Sequence, residues 1–215
     1  MKRLLAITLC MAALAVFAGD APSGFLSDYG RLSKEGSIRA RYLGYAAPGA
    51  ADLKTPAVYV APLGRFPVAA TFAGVDDALV GSVLTYTEQQ LRSQLAVRTR
   101  VVDDKAAADV TLEVALTALG AQPEGKTALD LVPLRLITGV AKTAAMGKAL
   151  EAAAVLEMRL SQSATSSILR ESKHELVGDG IGRADSEKTR MSLEALKPAL
   201  DKWVGLVVDQ VAPKP

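Results

Sequence analysis

Asp109 to Leu119 reads Asp-Val-Thr-Leu-Glu-Val-Ala-Leu-Thr-Ala-Leu, and in it Val110, Leu112, Val114 and Leu116 alternate with Thr111, Glu113, Ala115 and Thr117. A period of two is the signature of a β-strand with one apolar and one solvated face. Burying each of these apolar side chains contributes about 1.5–3 kcal/mol, and a one-residue slip would put all of them in water and Glu113 in the core, so the register is fixed. From Ala154 to Leu160 the pattern returns, with Ala154, Leu156, Met158 and Leu160 alternating with Val155, Glu157 and Arg159. A second strand of the same one-sided character is expected, with helices covering the shared face.

Two helices are legible. Asp76 or Asp77 can cap a segment in which Leu79, Val80, Val83, Leu84, Thr87, Leu91 and Leu95 recur at steps of three and four. The closing segment places Leu193, Leu196, Leu200, Trp203, Val207 and Val211 on one face, with Pro198 kinking it or marking its first turn. Val58 and Val60 form a first strand and Val97 to Val102 a second, so strand, helix, strand predicts a right-handed crossover with parallel neighbours. Asp103 to Ala108 then turns the chain into Val110, predicting an antiparallel entry. Ile168 to Val177 is a strand rich in charge (Arg170, Glu171, Lys173, Glu175), which suits a sheet edge. Gly178, Gly180 and Gly182 predict a loop. The expected fold class is α/β (α+β): a two-layer arrangement of a mixed, mainly antiparallel sheet of about five strands with helices on one face, the other face free.

The chain opens Met-Lys-Arg, runs apolar from Leu4 to Phe17 and reaches Ala18 and Gly19, the order of a cleavable secretory signal. Residues 1–19 are therefore read as a signal peptide, and 20–215 as one α/β domain whose first part, 20–55, is an irregular arm broken by Gly24, Gly30, Gly36 and Gly44. A membrane-spanning helix needs about 20 apolar residues, and Asp20 and Pro22 interrupt this run. Cys10 is the only cysteine, and Leu9 before it makes a poor lipidation motif. Loss of Lys2 and Arg3 with the signal leaves 23 basic against 23 acidic residues, so no basic excess for nucleic acid remains. With aromatics at 5%, a base-stacking or sugar-stacking surface is not expected.

Catalytic motifs are scarce. His174 is the only histidine, no Gly-x-Ser-x-Gly is present, and a single His cannot build a His-only metal site. Gly178-Asp-Gly-Ile-Gly182 matches no phosphate fingerprint. Asp76-Asp77 and Asp103-Asp104 stand where capping and turn duties are ordinary. No catalytic, metal-binding or cofactor-binding residue is assigned. Leu129 to Leu150 is the interaction candidate, with Arg135, Lys142 and Lys148 set among Leu136, Ile137, Val140 and other apolar residues. Amphipathicity of this kind serves a crossover helix packed on the sheet, or a helix lying on an anionic membrane or a partner.

Ser-Gly-Phe-Leu-Ser-Asp-Tyr-x-x-Leu (Ser23 to Leu32), Asp52 to Lys54 ahead of the first strand, and the closing hairpin around Ser161 to Leu169 resemble a family of secreted bacterial proteins, mostly lipoproteins, known as domain of unknown function 3313. The likeness spans roughly Ser23 to Val211, and the N-terminal decapeptide is its specific part. It implies an envelope location and an α/β domain, and it carries over no catalytic residue. Two departures stand out: the family's lipid-bearing Cys has no good counterpart, and the hairpin turn reads Gln-Ser-Ala-Thr-Ser-Ser where the family tends to have an acidic residue and Thr-Gly. The functional expectation is a non-enzymatic, exported, periplasmic protein that binds or assembles with an envelope protein or a membrane surface, outer-membrane attachment being the weaker expectation. The alternatives are a hydrolase built on Asp, Glu, Ser and Tyr, and a membrane-surface protein acting through residues 129–150.

Overall fold

The computed structural model describes residues 22–34, 42–53, 55–70, 72, 75–123, 149–183 and 191–213. The deciding stretch is strand β6, Val110–Pro123, paired antiparallel with β7, Ala149–Gln162, which pairs antiparallel with β8, Ile168–Arg183. Leu112 lies opposite Leu160 and Leu116 opposite Leu156, so the two alternating patterns share one face. Between Leu116 and Ala118 the register shifts, with Thr117 as the extra residue of a bulge. The apolar positions therefore step from Leu116 to Leu119, three residues instead of two. Both belong to the core.

Helix α1, Asp77–Ala96, and helix α2, Leu193–Val211, cover that face as expected. Asp76 is the N-cap of α1, its carboxylate accepting from Leu79 N–H at 2.6 Å. Ser192 caps α2, and Pro198 lies inside that helix. Val83, Leu91 and Leu95 of α1 and Leu200, Trp203 and Val207 of α2 close on Leu112, Leu156 and Leu160. Trp203, fully enclosed, contributes several kcal/mol of burial on its own. The approach of α2 to β8 depends on Gly178, where a Cβ would meet the Ala195 carbonyl oxygen at 2.2 Å.

The remaining strands are β1, Ser33–Lys34; β2, Tyr42–Ala46; β3, Val58–Val60; β4, Gly64–Arg65; and β5, Val101–Val102. They give one mixed sheet of order β1-β2-β8-β7-β6-β3-β5, with β4 beside β6, and so eight strands where about five were expected. The excess is β1 and β4, two residues each and too short to leave a period in the sequence, and the five-residue β2, whose Gly44 hid it. Val58 of β3 faces both Val101 and Val110, and both pairings are parallel. The expected antiparallel entry from β5 into β6 is corrected by this: β3 occupies the space between them, and the turn at 103–109 returns the chain to the same level.

Three further expectations change. The charged strand β8 is interior, flanked by β7 and β2, and the short β1 and β5 end the path. Gly178 and Gly180 lie within β8 and form no loop there, since the strand runs on beside β7. The arm read as irregular contains β2, five residues whose register with β8 pairs Tyr42 with His174 and Tyr45 with Glu171. The proposed signal peptide and Cys10 lie outside the described residues.

Candidate functional site

β7 and β8 place Glu157 and Glu171 on the sheet face turned away from both helices. Lys173 lies opposite Glu157 and Arg159 opposite Glu171, which makes the two glutamates diagonal neighbours, about 7–8 Å apart at Cα. They are 0% and 1% exposed. A buried carboxylate costs several kcal/mol unless its oxygens are satisfied, and the satisfying groups come from the N-terminal arm, residues 22–32.

Glu157 Oε2 accepts from the Tyr29 hydroxyl at 2.6 Å and from the Ser23 hydroxyl at 2.8 Å. Its Oε1 takes a longer contact, 3.3 Å, from the hydroxyl of Thr117, the residue displaced by the bulge. Among the described residues no cation pairs with it. Glu171 is held by stronger donors: the Ser27 N–H and hydroxyl at 2.8 and 3.1 Å, and the Arg31 guanidinium through Nη2 at 2.5 Å and Nε at 3.2 Å. Arg31 also lies 4.1 Å from the centroid of the Tyr45 ring. Phe25 meets Phe66 edge-on at 5.7 Å, with the Arg159 guanidinium 5.0 Å from its centroid, and Arg159 pairs with Glu113 at 3.0 Å. Leu26 is buried.

The arm's own sequence shapes it for this contact. Gly24 has φ +90°, a conformation that a side chain resists. Asp28 caps the 3-10 turn Tyr29–Arg31 by accepting from Gly30 N–H at 2.8 Å. The Tyr29 hydroxyl oxygen accepts from Gly24 N–H and Leu26 N–H at 3.1 and 3.2 Å, so one phenol ties the turn together and to the sheet. Burial first, and the bond to Glu157 second, raise the Tyr29 pKa above its ordinary value, keeping it a donor at neutral pH.

The face expected to be free is therefore covered over Glu157 and Glu171, and the wet side expected for β6 and β7 is largely buried, Thr111 and Thr117 included. Sequence reasoning read the arm as irregular and missed the two glutamates it covers. The available signal was polar: Ser23, Ser27 and Tyr29 are donors in the very decapeptide that carries the family likeness. A hydroxyl donating to a carboxylate is also the first element of a nucleophilic site, but Glu157 is fully buried beneath the arm, so no substrate reaches it while the arm is docked. A shallow depression of about 470 Å³ lies elsewhere, on the outer side of α1, lined by Gly81, Ser82, Tyr86 and Leu193 among others and by no carboxylate.

His174 faces the core. It stacks on Tyr42 at 4.6 Å, meets Trp203 edge-on at 6.0 Å and shares a 2.9 Å hydrogen bond with the Ser172 hydroxyl. Burial pushes its pKa down to about 3, so it is a neutral packing residue at physiological pH. Of the aspartate pairs, Asp76 and Asp104 act as caps, Asp77 pairs with Arg65 at 2.6 Å and Asp103 with Arg92 at 3.4 Å. Among the described residues, no cluster of His, Cys, Asp and Glu is placed to hold a metal, and no helix is long and apolar enough to cross a membrane. The interaction candidates Arg135, Leu136, Ile137, Val140, Lys142 and Lys148 lie outside the described residues. Ala149 and Leu150, read as the end of that segment, instead begin β7.

The model of one protein family, described as a protein of unknown function (DUF3313), matches residues 21–207. The uncharacterized lipoprotein YdcL of Escherichia coli K12 is 24% identical over 200 residues, covering 92% of this chain and 87% of that protein. Among solved structures, the PelC dodecamer from Paraburkholderia phytofirmans gives a TM-score of 0.41 at 12% identity, covering 81% of this chain and 98% of that one. Lipoprotein GNA1162 from Neisseria meningitidis gives 0.35 at 12%, covering 74% and 99%. With a family match that takes in the arm, the sheet and most of the closing helix, this chain belongs to the DUF3313 family.

Proposed function

We propose that the protein is a non-enzymatic component of the bacterial envelope, soluble in the periplasm, that works by binding or assembly with another envelope component. One observation carries the reading: Glu157 and Glu171, two buried carboxylates on one sheet face, have their oxygens engaged by Ser23, Ser27, Tyr29 and Arg31. A hydrolase would need at least one of them facing a substrate cleft. The lipoprotein relative supports an exported, envelope-associated location. Crosslinking in intact periplasm followed by purification tests the reading. Recovery of no envelope protein, lipid or glycan above background would sink it, as would hydrolysis of an ester or glycoside panel that Glu157→Gln abolishes without loss of folding. Intact-mass measurement on the native protein tests the compartment: a chain beginning at Gly19 or Asp20 is expected, and an acylated species beginning at Cys10 would overturn it.

A second reading, a membrane or partner surface through residues 129–150, has an observation of its own. Pro123 of β6 pairs with Leu150 of β7, so residues 124–148 join strand ends that are already neighbours, and the topology asks for no crossover between them. Co-sedimentation with anionic vesicles, and its weakening by Arg135→Glu and Lys142→Glu, tests it.

A further inference from the structure

We propose that the sheet face bearing Glu157 and Glu171 is a recognition site for a short peptide segment, and that the arm of a second copy of this chain can occupy it in place of the protein's own. The inference deepens the binding reading above by naming a surface and an occupant. Its basis is how the arm is held. Over residues 22–32 the arm joins no strand of the sheet, and its principal polar contacts with that face all end on two glutamate side chains: hydroxyls of Ser23 and Tyr29 on Glu157, the Ser27 N–H and hydroxyl and the Arg31 guanidinium on Glu171. The complementarity is electrostatic as well as steric, two carboxylates below and one cation with three hydroxyls above.

The arm is also separable from what stabilises the fold. None of its side chains belongs to the core cluster, which is built on the opposite side of the sheet from α1, α2 and the inner positions of β6 and β7. Leu26 is buried and Phe25 packs edge-on against Phe66, both outside that cluster. When the arm leaves, both glutamates regain water, which offsets part of the lost contact because desolvating them opposed docking. A segment tethered this closely has an effective concentration near the millimolar range, so its own copy wins unless it is loosened or the site is crowded.

The test uses the full-length protein and a fluorescein-labelled peptide of residues 22–32, read by anisotropy. The parent should bind it weakly. Tyr29→Phe combined with Arg31→Ala, which loosens the protein's own arm, should bind it at least about tenfold more tightly, and adding Glu171→Gln should remove that binding. A loosened variant that melts normally yet binds no better than the parent would overturn the proposal, as would binding that survives Glu171→Gln. Loss of cooperative melting in the loosened variant would overturn it too, because the arm would then be part of the fold's support. Any of these failures leaves the crosslinking result standing, so the two ideas fail separately.

Discussion

Tyr29→Phe isolates the phenol on which the arm is centred. The substitution keeps the ring and removes one oxygen, which donates to Glu157 at 2.6 Å and accepts from two backbone amides at 3.1 and 3.2 Å. A hydrogen bond to a charged group is worth about 1.5–3 kcal/mol. Tyr29 is only half-buried, so water can reach the freed Gly24 amide, and Glu157 retains Ser23 and Thr117; this favours the lower part of the range. A loss of about 2 kcal/mol shifts the open–closed equilibrium of the arm about 30-fold. Amide hydrogen exchange reads it directly, since Ser27 N–H is bonded to Glu171 at 2.8 Å and exchanges when the arm opens. Its exchange should rise by that factor, while Leu156 in β7, buried in the core, should keep its rate. An unchanged Ser27 would refute the clamp. Equal acceleration of Ser27 and Leu156 would refute the separation of arm from core.

Two glycines should respond with opposite signs in a thermal melt. Gly178→Ala drives a methyl into the Ala195 carbonyl and should cost about 1–3 kcal/mol, outweighing the roughly 0.4–1 kcal/mol gained by stiffening the unfolded chain, whereas Gly81→Ala, with nothing within 4 Å of the new Cβ in α1, should stabilise by about 0.5–1 kcal/mol. Ser166 sits at φ +58° in the β7–β8 turn, and Ser166→Gly should raise the melting temperature by about 2–4 °C for each kcal/mol of strain removed. Because the His174 pKa is lowered to about 3 in the folded state, the unfolded chain binds the extra proton first. Its contribution is present above about pH 6.5 and lost as pH falls towards 3, so urea midpoints should drop between pH 7 and 5 in the parent and drop less in His174→Phe. Ile137→Asp separates the two uses of residues 129–150: an unchanged melt with lost vesicle binding supports the surface reading, and a melt lowered by several kcal/mol returns the segment to the core.

What the sequence made legible follows from periodicity. Val110 to Leu116 and Ala154 to Leu160 announced their strands and their shared face because burial on the helix side is repetitive, and Leu79 to Leu95 announced α1 for the same reason. Glu157 and Glu171 were not legible, because a charged residue on the outer face of a strand looks the same in the sequence whether water or an arm lies over it. The charge of β8 was read as an edge signal on the same assumption. Its partners, Ser27 and Arg31, are more than a hundred residues away in sequence, beyond the reach of any local pattern. The bulge at Thr117 did leave a trace, the step of three from Leu116 to Leu119, and the close packing at Gly178 left only a glycine that resembles a loop residue.

The arm's contacts also impose an order in time. Ser23, Ser27, Tyr29 and Arg31 are held by residues 128 to 144 positions later in the chain. A loop of that length closes slowly, and neither glutamate is presented on a surface until β7 has paired with β8. As the chain emerges, the donors of Ser23, Ser27, Tyr29 and Arg31 therefore lack their carboxylate partners until most of the protein has been made and assembled. Docking of the arm is then a late event in folding, and the burial of Tyr29 marks a finished sheet.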